Sequence, residues 1–120
     1  MEKILLINIP DYTTVEQIAE KLHFRCVRIM PKDFIKTLGE LAGFQTSVHT
    51  NTVSESDGIP AEGILVMCNM KNSHIDRLLK SLRTAAMQNI YKAILTPTNA
   101  DWNIYQLAKE LMRERRQLEQ

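Results

Sequence analysis

Few side chains in this sequence are reactive, and they are scattered. Cys68 closes the apolar run Gly63-Ile64-Leu65-Val66-Met67-Cys68-Asn69, with Lys71 and His74 just behind it. A thiol near a helix N-terminus and two basic neighbours is a candidate nucleophile, since each feature favours the thiolate. No C-x-x-C spacing and no acidic partner accompany it. Free cysteine is more often a small core hydrophobe, so a buried thiol is the favoured expectation. Asp101, in the polar turn Thr96-Pro97-Thr98-Asn99-Ala100-Asp101-Trp102, is the second catalytic candidate.

Polar turns offer a different chemistry. In an open parallel sheet, ligands bind beyond the carboxyl ends of the strands, where the chain turns into helix N-termini that attract anions. Turns of this kind occur at Pro10-Asp11-Tyr12-Thr13, Met30-Pro31-Lys32-Asp33, Asn69-Met70-Lys71-Asn72-Ser73 and Thr96 to Trp102. If the first and third strands are parallel neighbours, Thr13, Thr14, Lys71, Asn72, Ser73 and His74 would converge on a small anion. Thr98 and Asn99, in the extra length of the last turn, are further ligand candidates. Set against this, Ser, Thr, Asn and Asp are the ordinary residues of caps and turns, and no glycine-rich phosphate loop is present. His23, His49 and His74 lack the i, i+4 pairing or Cys/His clustering of a zinc site, so no metal and no cofactor is assigned. Trp102 and Tyr105 fit a helix face packed on a sheet better than a stacking platform.

The elements that must position these residues follow from periodicity. Lys3 to Ile9 reads as a strand covered on both faces, stopped by Pro10. Thr14 with Gln17 forms a capping-box pattern ahead of a helix from about Val15 to His23. Phe24 to Met30 reads as an edge strand because of Arg25 and Arg28, and Pro31 ends it. Asp33 then caps a short helix ending near Gly43. Gly63 to Asn69 is a third strand, Ser73 with Asp76 caps a helix carrying Ile75, Leu78, Leu79 and Leu82, and Tyr91 to Leu95 is a fourth strand. Asp101 or Asn99 caps the last helix.

The two halves match. Ile4 aligns with Ile64, Val15 with Ile75 and Leu22 with Leu82 at one offset, and Pro31 answers Pro97 at a larger one. Two β-α-β-α pseudo-repeats, 1–42 and 63–120, are therefore expected in a single domain, joined by a flexible linker or loose hairpin at 43–62. The expected fold class is α/β, a four-stranded mainly parallel sheet of order 2-1-3-4 with helices on its faces. A ferredoxin-like α+β sheet is the rival.

Composition bounds the rest. A 120-residue chain, 44% apolar and 24% charged, suits one globular core, and no stretch is long and apolar enough to span a bilayer. The formal net charge of +1 favours neither nucleic acid nor an anionic membrane. The opening apolar run breaks at Asn8 and Pro10, too early for a signal peptide, and both cysteines lie in apolar runs, so a cytoplasmic protein with reduced thiols is expected.

The segments Glu62-Gly63-Ile64-Leu65-Val66-Met67-Cys68-Asn69, Tyr91 through Trp102, and Gln106-Leu107-Ala108-Lys109-Glu110-Leu111 resemble a family of short bacterial proteins, mostly from Firmicutes. It is the domain-of-unknown-function family numbered 3783. The resemblance lies mainly in the second half. It implies a bacterial cytoplasmic origin and carries no catalytic residues with it.

Caps, turns and core outnumber paired reactive groups, which favours a non-enzymatic binding or regulatory module acting through protein contacts, a homodimer included. The spacing of Ile104, Ala108, Leu111, Arg115 and Leu118 offers a helical seam for a second subunit, set against fraying of the helix past Arg113. The alternative is a small enzyme or sensor that binds an anionic metabolite at the strand ends.

Overall fold

In the computed structural model, which describes residues 2–44 and 58–118, four strands form one sheet of order β2-β1-β3-β4. The strands are β1 (Lys3–Ile7), β2 (Cys26–Ile29), β3 (Ile64–Cys68) and β4 (Tyr91–Ile94). The helices are α1 (Tyr12–Lys21), α2 (Leu38–Leu41), α3 (Asn72–Thr84) and α4 (Ile104–Leu118), with a 3-10 turn at Pro31–Asp33 before α2. None of the helices among the described residues is long and apolar enough to cross a membrane.

The expected strand order holds, and the sheet is mixed. Within each half the strands pair in parallel, β1 with β2 and β3 with β4, while the central pair β1 and β3 is antiparallel, setting Ile4 opposite Met67 and Ile7 opposite Ile64. The expected convergence of the first and third turns therefore fails. A fully buried apolar strand reads the same whichever way its neighbour runs.

Strand alternation sorts the core into two layers. Ile4, Leu6, Leu65 and Met67 face α1 and α3, meeting Val15, Ala19, Ile75, Leu78 and Leu82. Leu5, Ile7, Ile64, Val66 and Cys68 face α2 and α4, meeting Phe34, Leu38, Ile104, Leu107 and Ala108. Helices thus cover both faces. Gly63, at φ +86, lets the start of β3 pass the end of β1, because a Cβ there would lie 2.9 Å from the Asn8 carbonyl oxygen. After β1 and β3 the chain turns on a left-handed asparagine, Asn8 (φ 51) and Asn69 (φ 58), a conformation asparagine tolerates better than most residues.

The helix starts differ from the sequence expectation. α1 begins three residues before Val15 because Asp11 is its cap, accepting from the Thr14 amide at 3.1 Å and the Thr14 hydroxyl at 2.7 Å. α2 is capped by Thr37, which forms a capping box with Glu40, in place of Asp33. α4 is capped by Asn103, whose side chain accepts from the Gln106 amide at 2.9 Å, in place of Asn99 or Asp101. α4 runs to Leu118, so it does not fray past Arg113. Most of the suggested seam is spent on its own sheet: Ile104 and Ala108 are buried, and Arg115 lies over the Tyr91 ring at 3.5 Å.

The segments leading into α2 and α4 interlock. Thr37 and Asn103 form an antiparallel bridge, the Leu38 amide donates to the Trp102 carbonyl at 2.8 Å, the Gly39 amide to Ala100 at 2.9 Å, and the Ile104 amide to Phe34 at 3.0 Å. Thr37 and Asn103 are both buried and are separated by 103 − 37 = 66 positions, the same separation as Pro31 and Pro97. Most of the 43–62 connection lies outside the described residues. Of its ends, Gly43 (φ +96) closes α2 with the Phe44 amide bonded back to the Gly39 carbonyl, as in other glycine-terminated helices.

Candidate functional site

Antiparallel pairing at the centre divides the strand-end turns between opposite ends of the sheet. Thr13 and Thr14 lie beyond β1, whereas Lys71, Asn72, Ser73 and His74 lie beyond β3, with Thr98 and Asn99 beyond β4. The ligand candidates of the first and second halves are therefore not brought together.

Each helix start is also occupied from within the chain. The Asp11 carboxylate fills the start of α1, and the Thr14 hydroxyl and amide hold its carboxyl below the ordinary aspartate range. At α3 the position foreseen for an anion is held by Glu2. Its carboxylate accepts from the Lys71 amide at 2.8 Å and meets His74 Nδ1 at 2.7 Å, and the Lys71 amide foremost keeps the Glu2 carboxyl below its usual range. No side chain of α3's own N-cap closes this helix, so the expected Ser73 cap is replaced by a carboxylate from the other end of the sequence. At α2 the amides go to Trp102, Ala100 and Thr37. This accounts for the extra length of the Thr96 to Trp102 turn, whose carbonyls dock on the start of α2.

Asn99 is the buried pivot of that turn. Its side chain accepts from the Thr96 amide at 2.8 Å and donates to the Ile94 carbonyl at 3.0 Å, so its polar atoms serve the turn itself. Thr98 and Asp101 are exposed beside it. Cys68 lies in the core layer facing α2 and α4, where burial pushes its thiol up to about 11, which disfavours the thiolate that a nucleophile needs. Cys26, likewise raised to about 11 by burial, packs on the opposite face of the sheet, so the two thiols are kept apart by the sheet. Among the described residues no group of three or more His, Cys, Asp and Glu side chains gathers as a metal centre would require.

An open groove of about 410 Å³ runs along β4. Ile75 and Leu79 of α3 form one wall, and Leu107, Glu110, Leu111 and Glu114 of α4 form the other. Its floor is β4 with Ala93 and Ile94, closed at one end by Asn99 and Trp102. The crevices at the strand ends are smaller, about 250 Å³ each. The Tyr91 amide bonds to Gly63 and the Leu95 amide to Met67, and by the alternation of a parallel ladder the main-chain groups of Lys92 and Ile94 face outward into the groove. Ile94 is 48% exposed, unusual for a strand isoleucine between two helices. Lys92 is half-buried; its ammonium donates to the Gln88 and Ile90 carbonyls at 2.8 Å each, and burial holds its pKa below the ordinary lysine range.

No local pattern in the sequence marks this groove. The apolar residues that line it have the spacing of core residues, and it is the strand order that leaves β4 without a neighbour on its outer side among the described residues.

The strands and helices around the groove coincide with a recognised unit. Residues 63–118 match the family model described as Domain of unknown function (DUF3783), which spans β3, α3, β4 and α4 and supports the resemblance found in the second half. No curated protein and no solved structure matches the chain.

Proposed function

We propose that this chain is a non-enzymatic binding module that acts through protein contact, and that its contact surface is the open edge of β4 with the groove around it. The observation that carries this is an edge strand set between two helices, with outward main-chain groups and a half-exposed Ile94. Exposed edges of this kind are templates for an added strand, and main-chain bonds with flanking side-chain pockets are an established mode of peptide recognition. The anionic-metabolite alternative is weakened by Asp11 and Glu2, which already occupy two of the helix starts it would use.

A bacterial, cytoplasmic setting accompanies this proposal, supported by the family resemblance and by two free thiols, Cys68 buried and Cys26 partly buried, on opposite faces of the sheet. We also infer that the two β-α-β-α units are copies of one another, which the common separation of Pro31 from Pro97 and Thr37 from Asn103 supports.

The test is selection of a displayed library of random decapeptides on the purified protein, followed by rescreening on Ile94→Asp and on Arg28→Ala, which alters the other edge. Binders that lose Ile94→Asp and keep Arg28→Ala support the β4 edge. Binders indifferent to Ile94→Asp place the contact elsewhere and overturn it.

A further inference from the structure

Building on the β4-edge reading, we propose that the groove takes an extended segment of a partner protein in which basic residues alternate with apolar ones. The two walls differ in chemistry. The α3 wall offers Ile75 and Leu79, whereas the α4 wall adds the carboxylates of Glu110 and Glu114 to its leucines.

An added strand sends successive side chains to opposite faces, so one set would meet α3 and the other α4. Glu110 and Glu114 are four residues apart on one helix, about 6 Å along its axis. Alternate residues of a strand are about 6.7 Å apart. Two carboxylates at that interval suit two basic residues at i and i+2, with the residues between them apolar and set against Ile75, Leu79 and Ile94.

The carboxylates are available for this. Glu110 is partly buried and has only a long i, i+3 contact at 3.5 Å with the exposed Arg113, the kind of pair that contributes little, and the exposed Glu114 has no ion-pair partner among the described residues. Lys92, the cation on the floor, is held by the Gln88 and Ile90 carbonyls. The same charges argue against a second copy as the occupant. Two-fold pairing of β4 with β4 would set two α4 helices side by side and bring their Glu110 and Glu114 rims together, and like charges at an interface disfavour that partner.

The chain's single tryptophan, Trp102, lines the groove and reports its occupancy by fluorescence. The probes are three capped hexapeptides: valine alternating with arginine, valine alternating with glutamate, and the first composition reordered into an arginine block and a valine block. Each is titrated into wild type, Ile94→Asp and the double variant E110K/E114K, with far-ultraviolet dichroism to confirm that each variant folds and sedimentation to follow self-association. The alternating basic peptide is expected to shift Trp102 emission, with affinity at least about tenfold above the acidic and block-ordered peptides and reduced about tenfold by charge reversal of the wall. If basic and acidic peptides bind equally and both are lost in Ile94→Asp, the β4 edge stands and the basic specificity is overturned. Self-association of wild type that Ile94→Asp abolishes makes a second copy the occupant and overturns the proposal. If none of the peptides binds and wild type stays monomeric, both the specificity and the edge reading fall.

Discussion

The two edges of the sheet begin alike and meet solvent differently. β2 and β4 are each four residues long, each pairs in parallel with the inner strand of its own half, and each is followed by a proline, Pro31 or Pro97. Three residues before that proline stands Arg28 in one and Ile94 in the other. Arg28 is tied to Glu16 of α1 by a two-pronged pair at 2.6 and 2.8 Å and lies 4.6 Å above the Tyr12 ring, so charge and an aromatic ring close over the β2 edge. The corresponding place on β4 holds an apolar side chain in a groove. Charged edges are a common defence against unwanted strand pairing. One edge of the sheet is thus guarded and the other is left usable.

The contrast can be broken most severely at the strand ends. Ile29 is buried in the α2/α4 layer while Ile94 is half exposed, so Ile29→Ala should cost about 2–4 kcal/mol and Ile94→Ala no more than about 0.5. Urea unfolding of the two variants checks this, and equal losses would mean that the edges do not differ in the way described.

A smaller effect is expected at the paired caps behind the edges. Thr37→Ala and Asn103→Ala should each lower stability by about 1 kcal/mol, because each removes a cap that is also buried against its counterpart. Clearly unequal losses in the same unfolding assay would show that the starts of α2 and α4 are not built alike. Smaller again is Arg28→Ala. It should reduce the unfolding midpoint only slightly, since exposed ion pairs contribute little, while concentration-dependent association appears as the β2 edge opens. Sedimentation of the variant at rising concentration is the readout, and an unchanged monomer would remove the guarding role from Arg28.

The smallest effect concerns Glu2 at the start of α3. Its folded pKa is lowered, chiefly by the Lys71 amide, so its contribution to stability is fully present above the ordinary glutamate pKa and is lost as pH falls through the lowered value. In Glu2→Gln this acid-side loss should be absent. Thermal melts between neutral pH and the carboxylate range test it, and parallel curves for variant and wild type would contradict the assignment.

Much of the architecture was legible in the residues. The apolar runs ending at Ile9 and Cys68, the turns at Pro10, Pro31 and Pro97, and the arginines of β2 suffice for the strand order. The direction of the central pair was not, because Leu5 and Val66 are buried on both sides and carry no mark of whether the neighbour is parallel. Caps lie a few residues from their expected positions where candidates crowd together: Asn99, Asp101 and Asn103 are all cap formers, and of these Asn103 is the one bridged to Thr37. Glu2 could not be anticipated at the start of α3, since its partners Lys71 and His74 are brought to it only by the antiparallel pairing of β1 and β3. The candidate site was the least legible feature. It is made by what the strand order leaves uncovered.

The openness of the β4 edge is tested most directly by native-state amide hydrogen exchange across residues 91–95. The Tyr91 and Leu95 amides bond to the Gly63 and Met67 carbonyls and Ala93 lies between them in register, so these three should be protected, while Lys92 and Ile94, facing the groove, should exchange rapidly. Uniform protection of all five in the isolated monomer would contradict an open edge and remove the basis for the binding site.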